Sequence, residues 1–131
     1  MAGDQDRIID LRDTYLHLDN AGGALPVRVT PEFWQDLASG KTRYEGRLVI
    51  AGDLSEDMAQ WEMHPEGEEL LLCHSGRFEV LLENPEGEDG FPLGPGEAFV
   101  VPRGAWHRIL VTAPGRLLFV TWGEGTRHRP L

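Results

Sequence analysis

Between residues 42 and 122 apolar and polar side chains alternate with a period of two. The segments RYEGRLVIAG, DMAQWEMH, ELLLCHSG, RFEVLLE, EAFVVP, WHRILVT and GRLLFVTW read as strands, because every second residue of a pleated chain faces the same side. Turn-forming clusters separate them: GDLSED, HPEGE, SGR, NPEGEDGFPLGPGE, PRGA and TAPG. Short strands at this regular spacing predict an all-β sandwich or barrel.

One stretch breaks that period. In TPEFWQDLASGK, Thr30 can cap a helix, Pro31 suits its first position, Glu32 favours the positive end of the dipole, and Gly40 can stop it. A short helix over about residues 31–39 is predicted, with Phe33, Trp34 and Leu37 as the stripe that packs on the body of the protein. Residues 1–41 then form an N-terminal extension, in which IIDLRDTYLHLD offers an early strand, and residues 123–131 form a mobile tail. All 131 residues read as a single domain, large enough to bury a core of its own.

Composition narrows the partners. The 16 glycines and 9 prolines cluster between apolar runs, as a many-turned β protein requires. A net charge of −10 argues against nucleic acid and anionic membranes, whose phosphates would repel this surface. No apolar run approaches the length of a membrane-spanning helix, and the first residues are acidic where a signal peptide would be basic. Cys73 is the only cysteine, so no internal disulfide can form, and a reducing cytoplasm is the expected location.

The candidate chemistry lies in two blocks, Trp61 to Gly76 and Gly96 to Val111. Glu62 and His64 share a strand face, about 6.6–6.8 Å apart along the chain. Glu69 opens the next strand after the PEGE turn, and His107 opens another after the PRGA turn. In an antiparallel barrel these four side chains could converge on one divalent ion. Carboxylate oxygens and neutral imidazoles suit Zn, Fe, Mn or Ni without choosing among them. Two carboxylates in one buried pocket need a positive group between them, and a divalent ion with two glutamates and two neutral histidines is formally neutral. The alternative is that Glu62 faces solvent and the histidines merely satisfy turn backbone groups.

The two blocks resemble the paired motifs of the cupin superfamily. The second motif, G-x5-P-x-G-x2-H-x3-N, is met by Gly96, Pro102, Gly104 and His107, with Val111 in place of the asparagine. In the first, G-x5-H-x-H-x(3,4)-E-x6-G, the residues His64, Glu69 and Gly76 fall at the expected intervals. Its leading glycine is absent and Glu62 stands where the first histidine would be. The resemblance implies a double-stranded β-helix, or jelly-roll barrel, with His64, Glu69 and His107 as metal ligands and Glu62 as the fourth. Sugar-phosphate isomerases of the superfamily are similar in carrying a residue other than histidine at that first position. A three-histidine, one-glutamate iron site is positively charged, whereas this one would be neutral and a weaker Lewis acid.

The expected function is a metal-dependent enzyme acting on a small polar molecule, a carbohydrate or carboxylate derivative, with isomerase-like or oxygenase-like chemistry. Glu62 is then either the fourth ligand or a general base. The alternatives are a small-ligand-binding or sensor barrel without turnover and a degenerate barrel serving as a dimerisation unit. A homodimer is expected because open sheet edges tend to be covered.

Other residues have plainer readings. Trp61 and Trp106 have the wrong parity to share the faces of Glu62 and His107 and read as outer packing, with stacking on a ligand at the barrel mouth as the alternative. Cys73 shares parity with Glu69 and Leu71 and reads as a small inward filler. His74, Arg103 and Arg108 read as surface groups, although the arginines could also meet an anionic substrate. Ile109 and Val111 share parity with His107 and make the cavity beneath it apolar. The tail residues Arg127, His128 and Arg129 carry little signal.

Overall fold

In the computed structural model, which describes residues 7–131, the alternating segments pair into two antiparallel sheets. The strands are β1 (Thr14–Leu18), β2 (Ala24–Arg28), β3 (Arg47–Leu54), β4 (Gln60–Met63), β5 (Glu69–Cys73) and β6 (Arg77–Asn84). They continue as β7 (Gly87–Leu93), β8 (Ala98–Val101), β9 (His107–Ala113), β10 (Gly115–Thr121) and β11 (Arg127–Pro130). The six-stranded sheet runs β2-β1-β3-β10-β5-β8 and the five-stranded sheet β11-β4-β9-β6-β7. Consecutive strands repeatedly change sheets, so the two faces close over one interior as a jelly-roll barrel.

All seven predicted strands are present, and the sheets reach beyond residues 42–122 at both ends. β1 and β2 form a hairpin that extends the larger sheet through β3. The mobile tail expected over residues 123–131 is instead β11, paired with β4 from Arg127↔Met63 to Pro130↔Gln60. β7 occupies a segment read as turn because of its glycines, acids and proline. Its order comes from seven register positions against β6 rather than from its own propensity.

The core follows from parity. Leu71 and Cys73 on β5, Phe78 and Val80 on β6, Val101 on β8, Ile109 on β9 and Leu117 on β10 point between the sheets and are buried. Removing a large side chain from such a cluster costs about 3–5 kcal/mol. A second cluster holds the helix α1 (Phe33–Ser39) against β3 through Phe33, Leu37, Leu48 and Ile50. Tyr15 meets the Phe33 ring edge-on at 5.2 Å, and Tyr44 stacks on it at 5.9 Å.

The helix starts two residues later than expected. Thr30 gives no side-chain cap; its carbonyl accepts from Phe33 N–H, so Thr30-Pro31-Glu32 form a turn ahead of α1. Gly40 ends the helix as expected, in the left-handed region at φ 80°. Among the described residues no helix is long and apolar enough to cross a membrane.

Candidate metal centre

Glu62, His64, Glu69 and His107 come together at one end of the barrel interior, and one donor atom from each lies within 4.8 Å of all the others. Cross-strand register does most of this. Glu62 on β4 stands directly opposite His107 on β9. His64 follows the end of β4, and Glu69 begins β5 in the other sheet. The two sheets thus contribute donors from opposite sides, above the apolar core that Leu71, Cys73 and Ile109 continue on the same faces.

A backbone link joins the two blocks. Gly104 N–H, in the turn between β8 and β9, donates to the His64 carbonyl at 2.9 Å. That turn needs the left-handed conformation at Gly104, φ 75°, which a residue without Cβ adopts readily.

His107 is fully buried, His64 and Glu69 are 2% exposed, and the Glu62 side chain is 21% exposed. His64 Nε2 lies 2.9 Å from Glu62 Oε1 and 3.1 Å from Glu69 Oε2. His107 Nε2 lies 3.2 Å from Glu69 Oε1 and 3.6 Å from Glu62 Oε1. Despite this proximity, His64 Nε2, Glu69 Oε1 and His107 Nε2 have no hydrogen-bond partner, although all three are buried. Buried polar atoms are rarely left in that state, and here three of them face the same point.

The remaining atoms of the donors are held from outside. Thr121 on β10 donates its hydroxyl to Glu69 Oε2 at 2.5 Å. His64 Nδ1 lies 2.9 Å from the Thr126 hydroxyl, which itself donates to the Gly123 carbonyl at 2.7 Å. That hydroxyl has one proton, so it must accept from His64 Nδ1–H, leaving a bare Nε2 on the neutral ring. His107 Nδ1 faces the Ala105 carbonyl at 3.4 Å, which selects the same tautomer. The neutral form of both histidines is therefore the tautomer that offers Nε2 to a cation.

Electrostatics agree. Burial raises the pKa of both glutamates, but the contacts with His107, His64 and, for Glu62, His128 outweigh it and hold both carboxyls below their usual range. Burial lowers the pKa of the histidines, but the contacts with Glu62 and Glu69 outweigh it, lifting His64 to about 9 and His107 to about 10. The pocket thus demands positive charge between its carboxylates, and imidazolium protons supply it when no ion does. The residues fit a divalent cation in number, donor type and charge.

Other readings resolve locally. Cys73 is buried in the core and its thiol pKa is raised by burial, as suits an inert filler. Arg103 Nε donates to the Pro65 carbonyl and Arg108 Nε to the Met58 carbonyl, each at 2.7 Å, so both arginines tie down neighbouring loops. Trp61 and Trp106 flank Glu62 and His107 in sequence but face the Arg129 guanidinium, at 5.7 and 4.7 Å from their ring centroids. From the sequence, Thr121 and Thr126 are not singled out, and His128 reads as a tail residue of little signal. Thr121 alone carried a signal, as the polar residue at an inward position after Leu117 and Phe119.

The cupin-domain family model matches residues 46–122, more than half of the chain, and the chain belongs to that family. No curated protein matches it significantly. Among solved structures, it is similar to a variant of Streptomyces PAC13 with uridine at a TM-score of 0.55 and 15% identity, covering 66% of this chain and 69% of that one. A cupin-2 domain containing protein from Shewanella frigidimarina aligns at 0.50 and 14% identity, covering 60% and 72%. Fe(II)-HppE with the alternative substrate (S)-1-HPP aligns at 0.50 and 17%, covering 58% of this chain and 42% of that longer one. At these identities the likeness is one of fold.

Proposed function

We propose that Glu62, His64, Glu69 and His107 hold one divalent transition metal ion, Zn, Fe, Mn or Ni, and that the protein is a metal-dependent enzyme acting on a small polar molecule. The observation that carries this reading is the convergence of three buried, unpartnered atoms, His64 Nε2, Glu69 Oε1 and His107 Nε2, beside Glu62 Oε1. An ion there would supply a Lewis acid that polarises an oxygen of the bound molecule. The chain's own residues do the rest. The apolar wall of Ile109 and Leu71 excludes water from below. Glu62 is the one member of the set with appreciable access to solvent, so it is the carboxylate placed to meet an entering ligand. Its lowered pKa keeps it ionised, so it offers a negative charge to a cation rather than a proton to a ligand. The iron(II) and uridine complexes among the fold neighbours support a metal and a small polar ligand in this barrel type, a carbohydrate or carboxylate derivative being the class favoured here.

The near-complete burial of His64, Glu69 and His107 favours a second reading, a barrel that holds its ion or small ligand without turnover. Elemental analysis of untagged protein separates these from a metal-free barrel. About one equivalent of metal is expected, absent from His64→Ala and His107→Ala. No uptake after incubation with Zn, Fe, Mn and Ni overturns the metal centre. Metal without activity on any small polar substrate, and with no exchangeable water position by relaxation measurements, favours the non-catalytic barrel. A homodimer, proposed from the open sheet edges, is checked by light scattering of the same samples.

A further inference from the structure

We infer that the C-terminal segment is part of the metal centre, with Thr126 and His128 as positioning residues that fix His64 and Glu62 as ligands. This rests on the metal-binding reading above and adds to it two residues outside the cupin-domain match, Thr126 just ahead of β11 and His128 within it.

The geometry of Glu62 is divided between its two oxygens. His128 stands opposite Glu62 in the β11–β4 register, and its Nε2 lies 2.9 Å from Glu62 Oε2. A carboxylate oxygen can only accept, so His128 Nε2 carries the proton and donates it. Oε1 points the other way, toward His64 Nε2 and His107 Nε2. One oxygen is held from outside while the other remains available to an ion. A glutamate tethered in this manner is a fourth ligand rather than a base that swings free. The His128 ring lies outside the cluster of converging donors, so it acts through Glu62.

Thr126 does the same for His64. Its hydroxyl is buried, its proton is committed to the Gly123 carbonyl, and it therefore accepts from Nδ1–H. Thr126, in the loop just ahead of β11, and His128, within the strand, thus reach His64 and Glu62 from the same segment. The opposite face of the strand carries the clamp. Arg129 pairs with Glu83 and lies over the Trp61 and Trp106 rings. This explains why two tryptophans sit beside the ligands in sequence yet face away from them: they anchor the strand whose inner face orients the ligands.

Full-length protein freed of metal with chelator would be titrated with Co(II), by calorimetry and by visible absorption, beside Thr126→Val, Thr126→Ser, His128→Ala and His128→Gln. Thr126→Val and His128→Ala are expected to bind about 10–100-fold more weakly, the usual effect of losing an outer contact to a ligand. Thr126→Ser keeps the hydroxyl and His128→Gln keeps a donor, so both should recover most of that loss. His128→Ala should also alter the Co(II) spectrum, because Glu62 loses its fixed orientation. Melting temperatures of the metal-free forms separate folding from positioning. A lowered melting temperature with wild-type affinity and spectrum means a merely structural strand and overturns the inference. Wild-type affinity in both Thr126→Val and His128→Ala overturns it while leaving the metal centre intact. A wild-type protein that takes up no Co(II) or Zn(II) overturns both.

Discussion

Glu62 and His107 face each other as a cross-strand pair between β4 and β9, and this one register position brings the two sequence blocks into a single site. A slip of β4 by one residue would turn Glu62 to the outer face, where Trp61 now sits. The pair also states what is unusual about this cupin, since its second partner is an imidazole and its first a carboxylate.

Glu62→Gln keeps the shape of the side chain and one oxygen donor but removes a charge from the ion's surroundings. Metal affinity is expected to fall by at least about tenfold, since a neutral amide oxygen is a poorer ligand for these ions than a carboxylate. Glu62→His places the superfamily's more usual donor at the site and should retain about one equivalent of metal with a net charge one unit more positive. Both are read by elemental analysis and by competition with a chelating dye. Unchanged affinity in Glu62→Gln would make the carboxylate a bystander.

The pH dependence has a definite sign. His64 and His107 are raised from 6.5 to about 9 and about 10, so their protons stabilise the metal-free fold fully below about pH 6.5. That contribution fades as pH rises through 9 to 10. Glu62 and Glu69 are lowered from 4.5, so their contribution is present above that value and is lost as pH falls further. The cluster therefore favours the metal-free fold most between about pH 4.5 and 6.5. An ion must displace both imidazolium protons, so its apparent affinity should rise by up to about a hundredfold per pH unit near neutrality. Melting curves with and without Zn(II) from pH 5.5 to 9 should show a stabilisation that grows with pH. A gain independent of pH would mean that the histidines do not compete with the ion.

Thr121→Val removes the one hydroxyl that donates to the buried Glu69 Oε2. Valine fills nearly the same volume, so the loss is chiefly of the hydrogen bond to a buried charged group. The metal-free protein should lose about 1–3 kcal/mol in urea denaturation. Metal affinity should fall by about 10–100-fold, as for other outer contacts to a ligand. Wild-type values for both would show that Glu69 needs no such partner.

The convergence of Glu62, His64, Glu69 and His107 was legible because these residues fall at strand ends, at the intervals of the cupin motifs around glycine turns. The strands of the barrel proper were legible because Leu71, Cys73, Val80, Ile109 and Leu117 alternate with polar neighbours around one core. What escaped depends on pairing between distant segments. β7 has Gly90 and Pro92 within it and buries only Leu93, so it exists because β6 offers it a ladder. β11 is three charged or polar residues and a proline at a sheet edge, and its composition reads as a tail. Thr126 and His128 escaped with it. A threonine in a loop and a histidine in a basic run mean nothing until β11 is set against β4.

Two glycines of the family motifs should differ in how badly they tolerate alanine. Both Gly76 and Gly104 are in the left-handed region, at φ 81° and 75°, so alanine at either is strained by about 1–2 kcal/mol. At Gly104 a Cβ would meet nothing within 4 Å, and strain is the whole cost. At Gly76 it would lie 2.6 Å from the Ala113 carbonyl oxygen and 2.7 Å from Gly115 Cα, both backbone atoms that cannot turn aside. Opening that space means parting the β5–β6 turn from the β9–β10 turn, so Gly76→Ala should cost clearly more than Gly104→Ala in urea denaturation. The Gly104 variant has the more specific consequence. Its N–H holds the His64 carbonyl, so relief of strain by a backbone shift there should weaken metal binding beyond the loss of stability. Equal destabilisation by the two variants, with metal affinity untouched in Gly104→Ala, would show that the turn conformation, and not its contacts, is all that these glycines provide.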